Sequence, residues 1–212
     1  MIKIKPQFYF ETEIDGEEIL KRIERIGRTC YKSEDRITEN SAASFVKMLI
    51  DRGHEAMIEH VHISVRIICD RGVTHEIVRH RLASYAQEST RYCNYSKDKY
   101  GSEITVIEPN FWQDKPECKE IWEQAMKNAE EAYMKLISLG ASPQEARSVL
   151  PNSLKTEIVV TMNLREWRHF FKLRTDKSAH PQIREIAVPL LKAFKEKIPV
   201  VFDDLVEGLQ EE

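Results

Sequence analysis

The chain has 212 residues, 42% apolar and 32% charged, with a formal net charge of −3 and an isoelectric point near 6.2. That length supports one large domain with a sizeable core, while the charge balance excludes a generic binder of nucleic acid or acidic membranes, which needs a basic surplus. No apolar run approaches the ~18 residues of a membrane span, "MIKIKPQFYF" lacks the core and cleavage site of a signal peptide, and Cys30, Cys69, Cys93 and Cys118 form no CxxC pair, which reads as free thiols in a reducing cytoplasm.

Neither repeats nor a Gly/Ser linker divide the chain, so one domain is expected over residues 1–212. "IKIKPQFYF" is a candidate first strand, weakened by Pro6. "DGEEILKRIERIGRTCY" places Ile19, Leu20, Ile23 and Ile26 on one helical stripe. "SAASFVKMLIDRG" predicts a second helix closed by Gly53. "VHISVRIICD" alternates at Val61, Ile63, Val65 and Ile67 as a half-buried strand does, and a helix is expected from about Gly72 to Arg81. "EITVIEP" is a short strand. "KPECKEIWEQAMKNAEEAYMKLISLG" is a long amphipathic helix ending at Gly140. "SPQEARSVLP" starts a short helix with Ser142 as cap and Pro143 in its first position. "TEIVVTMN" predicts a strand, "LREWRHFFKLR" a helix, and "HPQIREIAVPLLKAFKEK" a helix kinked at Pro189. Strands interspersed with helix pairs predict an α+β fold, an antiparallel sheet flanked by helices.

The usual nucleotide loops are absent. Phosphate-cradling loops need clustered glycines, and the closest pair here, Gly16 and Gly27, stands eleven residues apart. "HEAMIEH" resembles a zinc-protease HExxH only superficially, because His54 and His60 are six apart, about 240° round a helix. His60 and His62 would share a strand face, and a metal hydrolase using His54, His60, His62 and His75 stays open as an alternative. No GxSxG elbow is present.

Arginine chemistry dominates instead. "RHRLASYAQESTRY", Arg79 to Tyr92, gathers three arginines, a histidine and several neutral hydrogen-bonding groups. Arginine offers a planar, permanently charged fork to phosphates and carbonyls. On a helix Arg79 and Arg81 point about 200° apart; on a strand they share a face. On the residues alone, an anion site and a solvated polar loop both stay open. Further on, Leu164, Trp167, Phe171 and Arg174 follow one helical face, so an arginine continues an apolar stripe and needs an anionic or carbonyl partner, either a ligand or a structural carboxylate. Arg165 points nearly opposite, and Arg147 is a further candidate. A non-catalytic nucleotide or RNA-binding protein would use the same arginines.

Together these stretches resemble the flavin-dependent thymidylate synthases. The family hallmark is RHR, seven residues, then Ser, here Arg79-His80-Arg81, "LASYAQE", Ser89, followed by Arg91 and Tyr92. The similarity extends to "HEAMIEHVHISVRI", "EARSVLP", "TMNLREWRHFFKLR" and "IPVVF". The resemblance implies an α+β subunit of a homotetramer with shared active sites. The implied reaction is methylation of deoxyuridylate (dUMP) to thymidylate, with methylenetetrahydrofolate as carbon donor and FAD reduced by NADPH as hydride source.

Matched positions imply FAD contacts at Arg79, His80, Arg81, Asn163, Leu164, Arg165 and His169, with Ala56 where a hydroxyl residue often touches flavin. Gln87 matches a residue between flavin and nucleotide. Glu76, Arg79, Glu88, Ser89, Thr90, Arg91, Arg147 and Arg174 match dUMP contacts, Arg174 at the pyrimidine edge. A cation there favours negative charge on the ring, which makes Arg174 the candidate catalytic residue. Ser89 is then a binding hydroxyl, although an attacking serine is the alternative. Ala86 departs from a position where asparagine is common. No metal is implied.

Overall fold

The structure, a computed structural model, describes residues 1–97 and 101–210. The chain is a mixed helix and sheet protein. In order it forms β1 (Ile2–Ile4), β2 (Gln7–Phe10), α1 (Gly16–Thr29), α2 (Ser41–Asp51), β3 (His62–Asp70), α3 (Arg71–Ile77), β4 (Ala83–Gln87), β5 (Thr105–Ile107), α4 (Pro116–Ser138), α5 (Pro143–Ala146), β6 (Lys155–Asn163), α6 (Leu164–Arg174), α7 (Pro181–Lys197) and α8 (Asp203–Gln210). One sheet has the order β2-β3-β6-β4, and a smaller one pairs β1 with β5. The β1–β5 pairing is parallel, Ile2 opposite Thr105, which departs from the antiparallel expectation: the two strands are so distant in sequence that no hairpin dictates their direction.

Two compact units partition the chain. The first comprises Met1–Phe8, Arg66–Arg79 and Tyr85–Val159, and the second Tyr9–Val65, His80–Ser84 and Val160–Glu212. The core of the first forms around α4, where Trp122, Met126 and Tyr133 recur at helical spacing and meet Ile104, Val106 and Leu154. Gly140 ends α4 with a φ of 94°, a left-handed conformation that glycine adopts without Cβ strain. In α5, the Glu145 carboxylate accepts the Ser142 backbone N–H at 2.8 Å, the reciprocal half of a capping box.

The second unit packs α1 against α2 so closely that a Cβ on Gly27 would lie 2.7 Å from the Phe45 ring. Its core is aromatic. Trp167 and Phe171 of α6 stack with ring centroids 5.8 Å apart, and Phe194 of α7 meets Phe202 at 5.1 Å. Leu20 and Ile23 are buried, while Ile19 and Ile26, at the margins of the same stripe, are half-buried.

Three expectations change. Lys5-Pro6 splits the first strand in two, since proline cannot donate to a ladder. His60 and His62 do not share the strand face expected of them: Glu55–His60 is a 3-10 turn and β3 begins at His62. The helix expected to reach Arg81 stops at Ile77. There the Tyr85 hydroxyl donates to the Ile77 carbonyl at 2.9 Å, occupying the acceptor that Arg81 would need to extend the helix.

Candidate active site

In the first unit, β4 and the turn after it present Gln87, Glu88, Ser89 and Thr90. Gln87 Nε2 donates to Thr74 Oγ1 at 3.2 Å and Thr156 Oγ1 at 3.3 Å. Glu88 has both carboxylate oxygens engaged: Oε1 accepts from the Tyr95 hydroxyl and Oε2 from Lys155 Nζ, each at 3.0 Å. Lys155 also donates to Glu157 at 2.7 Å, and Arg66 reaches Glu157 at 3.2 Å. Burial disfavours the charged lysine, but the bonds to Glu157 and Glu88 outweigh it and leave Lys155 above the ordinary lysine range. The Lys155 hydrogen bond, with Arg66 adding, holds Glu157 below the ordinary carboxylate range. Burial, then the Glu88 charge, raise the Tyr95 phenol, so it remains a hydrogen-bond donor.

Ser89 Oγ accepts the Arg91 backbone N–H at 3.3 Å, closing a turn. Thr90 is buried and receives Arg147 Nη1 at 3.5 Å. Arg79, Arg91 and Arg147 are exposed, and Glu76 is half-buried on α3. Arg91 lies over its neighbour Tyr92 at 5.3 Å. An open depression of about 470 Å³ is lined by Ala86, Gln87, Glu88, Arg66, Lys155 and Glu157.

The second unit holds His80, buried between two charged groups. Nδ1 lies 2.8 Å from Glu166 Oε1, and Nε2 lies 3.2 Å from Arg174 Nε. The ring also meets Phe170 and His169, with centroids 5.0 and 5.5 Å away. Burial, and next in that direction the Arg174 charge, hold His80 below the ordinary imidazole range against the opposing pull of Glu166. Asn163 caps α6, its Oδ1 accepting the Glu166 backbone N–H at 2.8 Å. Leu164 is fully buried, and its backbone N–H bonds the Val61 carbonyl at 3.0 Å. Arg165 is exposed and paired with Glu59 and Glu55. A cleft of about 420 Å³ is lined by Leu82, Asn163, Arg165, Glu166, His169 and Lys172, with Glu55 and Glu59 at its side. Ala56 and Arg81 are exposed.

Arg168, also on α6, is a buried arginine bound to carboxylates. It is 2% exposed, binds Asp204 through two nitrogens at 2.7 Å each, reaches Glu55 at 3.0 Å and also bonds the Val201 carbonyl. Burial disfavours the charged guanidinium, but the hydrogen bonds it donates to Asp204 and Glu55, with the charges of those carboxylates, together outweigh that and keep Arg168 above the ordinary arginine range. No grouping of His54, His60, His62 and His75 has metal-ligand spacing among the described residues. The grouping that does is His80, Glu166 and His169, with ligand atoms within 4.8 Å of one another.

Sequence reasoning missed Arg71, Thr74, Lys155, Thr156, Glu166 and Arg168. Two signals were present. Thr156 places a hydroxyl in the buried row Thr156, Ile158, Val160, Met162, and a buried hydroxyl asks for a partner. Asn163 followed three residues on by Glu166 has the spacing of a capping box.

Residues 14–200 match the profile of the family described as thymidylate synthase complementing protein. A protein of Mycolicibacterium vanbaalenii named flavin-dependent thymidylate synthase is 36% identical over 217 residues, covering 94% of this chain and 84% of that protein. Proteins of the same name from Pyrococcus furiosus (37% over 172 residues, 81% and 70% covered) and Geobacter sulfurreducens (36% over 188 residues, 85% and 79% covered) are also similar. With the RHR segment in place and the match running through nearly the whole sequence, the chain belongs to the flavin-dependent thymidylate synthase family.

Proposed function

We propose that the chain is a thymidylate synthase that methylates dUMP with methylenetetrahydrofolate, using FAD that NADPH reduces. The observation that carries this reading is the single segment Arg79 to Arg91, which supplies His80 to one polar cluster and Gln87, Glu88 and Thr90 to the other, within a family match over residues 14–200.

The cleft of the second unit suits part of a flavin. Asn163, Arg165, His169 and Lys172 offer polar and cationic groups, and Leu82 an apolar wall, as a dinucleotide with a polar ring edge and an anionic linker requires. Bound flavin supplies the hydride. Asn163, Arg165 and His169 hold it, with Ala56, Arg79 and Arg81 adding contacts, Ala56 through its backbone. Leu164, being buried, reaches it through the main chain. Arg165 exchanges its carboxylate partners for the cofactor's anionic groups. The ring nitrogens of His80 are engaged by Glu166 and Arg174, so His80 meets the cofactor through its backbone or a ring edge.

For dUMP, Arg79, Arg91 and Arg147 serve the phosphate with Ser89 and Thr90 as neutral donors. Glu76, Gln87 and Glu88 position the sugar and base. Arg174 meets the pyrimidine and favours negative charge on it, which makes the carbon to be methylated more nucleophilic. Positioning and polarisation are the protein's share of the work.

The assembly is a homotetramer with active sites shared among subunits, one family domain per chain over residues 1–212, working in the cytoplasm. The free cysteines fit a reducing compartment, and no helix among the described residues is long and apolar enough to cross a membrane. A sedimentation mass of one subunit for the active enzyme would contradict the tetramer. The activity itself is tested by purifying the protein, measuring flavin absorbance and assaying thymidylate formation from dUMP, methylenetetrahydrofolate and NADPH. A yellow, active protein is expected; a colourless protein that takes up no FAD on reconstitution overturns the reading.

A further inference from the structure

The bonds around His80 have directions that chemistry fixes. Arg174 Nε–H can only donate, and its acceptor 3.2 Å away is His80 Nε2. Nε2 therefore carries no proton, and the ring proton sits on Nδ1, facing Glu166 Oε1 at 2.8 Å. A carboxylate can only accept, so Glu166 imposes this tautomer and leaves Nε2 free to accept. Glu166 is itself anchored in the first turn of α6 by Asn163, and Arg174 ends the same helix. His80 spans the two turns between them.

We propose that Glu166 is a positioning residue: acting through His80, it holds the Arg174 guanidinium in the orientation that meets the pyrimidine. This rests on the assignment of Arg174 above. Without an acceptor at residue 166, the ring proton is free to move to Nε2. Two donors then face each other at 3.2 Å, and Arg174 must leave. Burial of His80, 4% exposed, keeps water from mending either arrangement. The ring packed against Phe170 and His169 limits escape by rotation. Among the described residues, Glu166, His169 and Arg174 act on the ring, and of these three Glu166 is the one that can accept from it as an anion.

The test is calorimetric titration of dUMP into the flavin-loaded holoenzyme, with melting temperatures measured in parallel. Glu166→Ala should weaken dUMP binding by ~10-fold or more, the scale of a lost hydrogen bond to a charged group. Glu166→Leu fills the space without an acceptor and should behave alike if the alanine variant folds poorly. Glu166→Gln retains an oxygen that accepts from Nδ1 and should stay within about threefold. Combining Glu166→Ala with Arg174→Ala should be no worse than Arg174→Ala alone, because the residue being positioned is gone. Wild-type affinity in both non-accepting variants, or additive losses in the double variant, overturns the relay. A lowered melting temperature with unchanged dUMP affinity in the folded fraction overturns it too and leaves Glu166 a structural group. Should Arg174→Ala bind dUMP normally, the pyrimidine assignment falls and the relay with it, whereas thymidylate formation by the wild-type protein tests the enzyme reading separately.

Discussion

Gln87 and Glu88 in the first unit lean on hydroxyls and one lysine; His80 in the second leans on a carboxylate and an arginine. Both arrangements bury polar groups, but their bonding freedom differs. Thr74, Thr156 and Tyr95 carry hydroxyls that rotate, and Lys155 is shared between Glu88 and Glu157. That set can rearrange, and the forks of Arg79, Arg91 and Arg147, proposed above to take the phosphate, are exposed. Around His80 the bonds to Glu166 and Arg174 each have one permitted direction. One region is suited to adapt to a ligand and the other to hold a single geometry, which is what the phosphate site proposed for the first and the base-polarising role proposed for Arg174 respectively require.

The largest expected effect separates rigidity from chemistry within the second unit. Arg168→Ala leaves Asp204 and Glu55 without their buried partner and should cost about 3–5 kcal/mol of stability, read as a shift in denaturant midpoint. Its dUMP affinity per folded molecule should change little, since Arg168 bonds protein groups. Arg174→Lys should do the opposite. Lysine keeps the charge but loses the two-pronged fork and the Nε–H that meets His80. dUMP binding and methylation should fall by about 2–5 kcal/mol, with a modest change in melting temperature. Normal affinity with a lowered melting temperature would place Arg174 with Arg168 as a structural arginine.

In the first unit, Thr156→Val removes the hydroxyl that receives Gln87 at 3.3 Å and Arg71 at 3.5 Å. The expected cost is ~1–2 kcal/mol of stability, because Thr74 still accepts from Gln87. A loss as large as that of Arg168→Ala would show this cluster to be as rigid as the other.

The pH dependence distinguishes the units further. His80 has its folded pKa lowered from an ordinary 6.5, so its contribution to stability is present above 6.5 and is lost as pH falls through the lower folded value. Glu157 is lowered from 4.5, so its contribution is present above 4.5 and is lost only at more acid pH. Lys155 is raised from 10.5; its contribution holds below 10.5 and is lost as pH rises through the higher folded value. Between 6.5 and 4.5, loss of stability should therefore centre on His80. His80→Gln can donate to Glu166 and accept from Arg174 without titrating, and should flatten the melting-temperature profile there. A profile as steep as that of the wild type would assign the slope to other groups.

Legibility in the sequence followed locality. The helices α1, α2, α4 and α6 announced themselves through stripes, caps and closing glycines, because those signals lie within a few turns. β4 did not, since "ASYAQ" alternates without large apolar residues, and α8 gave no comparable stripe. The motif residues Arg79 to Arg91 were visible as a chemical concentration. Their partners were not: Glu166 follows His80 by 86 residues and Lys155 follows Glu88 by 67, so only the fold brings them together. Arg174 was legible as an oddity on an apolar stripe, whereas nothing in the sequence singled out Arg168, although it is the more deeply buried of the two.

The smallest expected effect concerns the cysteines, which lie in both units. Cys69, on β3, is 1% exposed, and burial, then the neighbouring Asp70 charge, push its thiol well above the ordinary range. A nucleophilic cysteine must be a thiolate near neutral pH and reachable by substrate, and Cys69 is neither. Cys30 and Cys118 are exposed and Cys93 is half-buried, and the side-chain bonds given above for Gln87, Glu88 and His80 run to threonine, tyrosine, lysine, glutamate and arginine. Replacing Cys30, Cys93 and Cys118 with serine and Cys69 with alanine should cost ~1 kcal/mol of stability, the typical scale of a single destabilising substitution, all of it from Cys69. Thymidylate formation per flavin-loaded molecule should persist. If turnover vanished while FAD and dUMP still bound, and restoring one cysteine revived it, the protein would use a covalent nucleophile, and polarisation of the pyrimidine by Arg174 would no longer suffice as its chemistry.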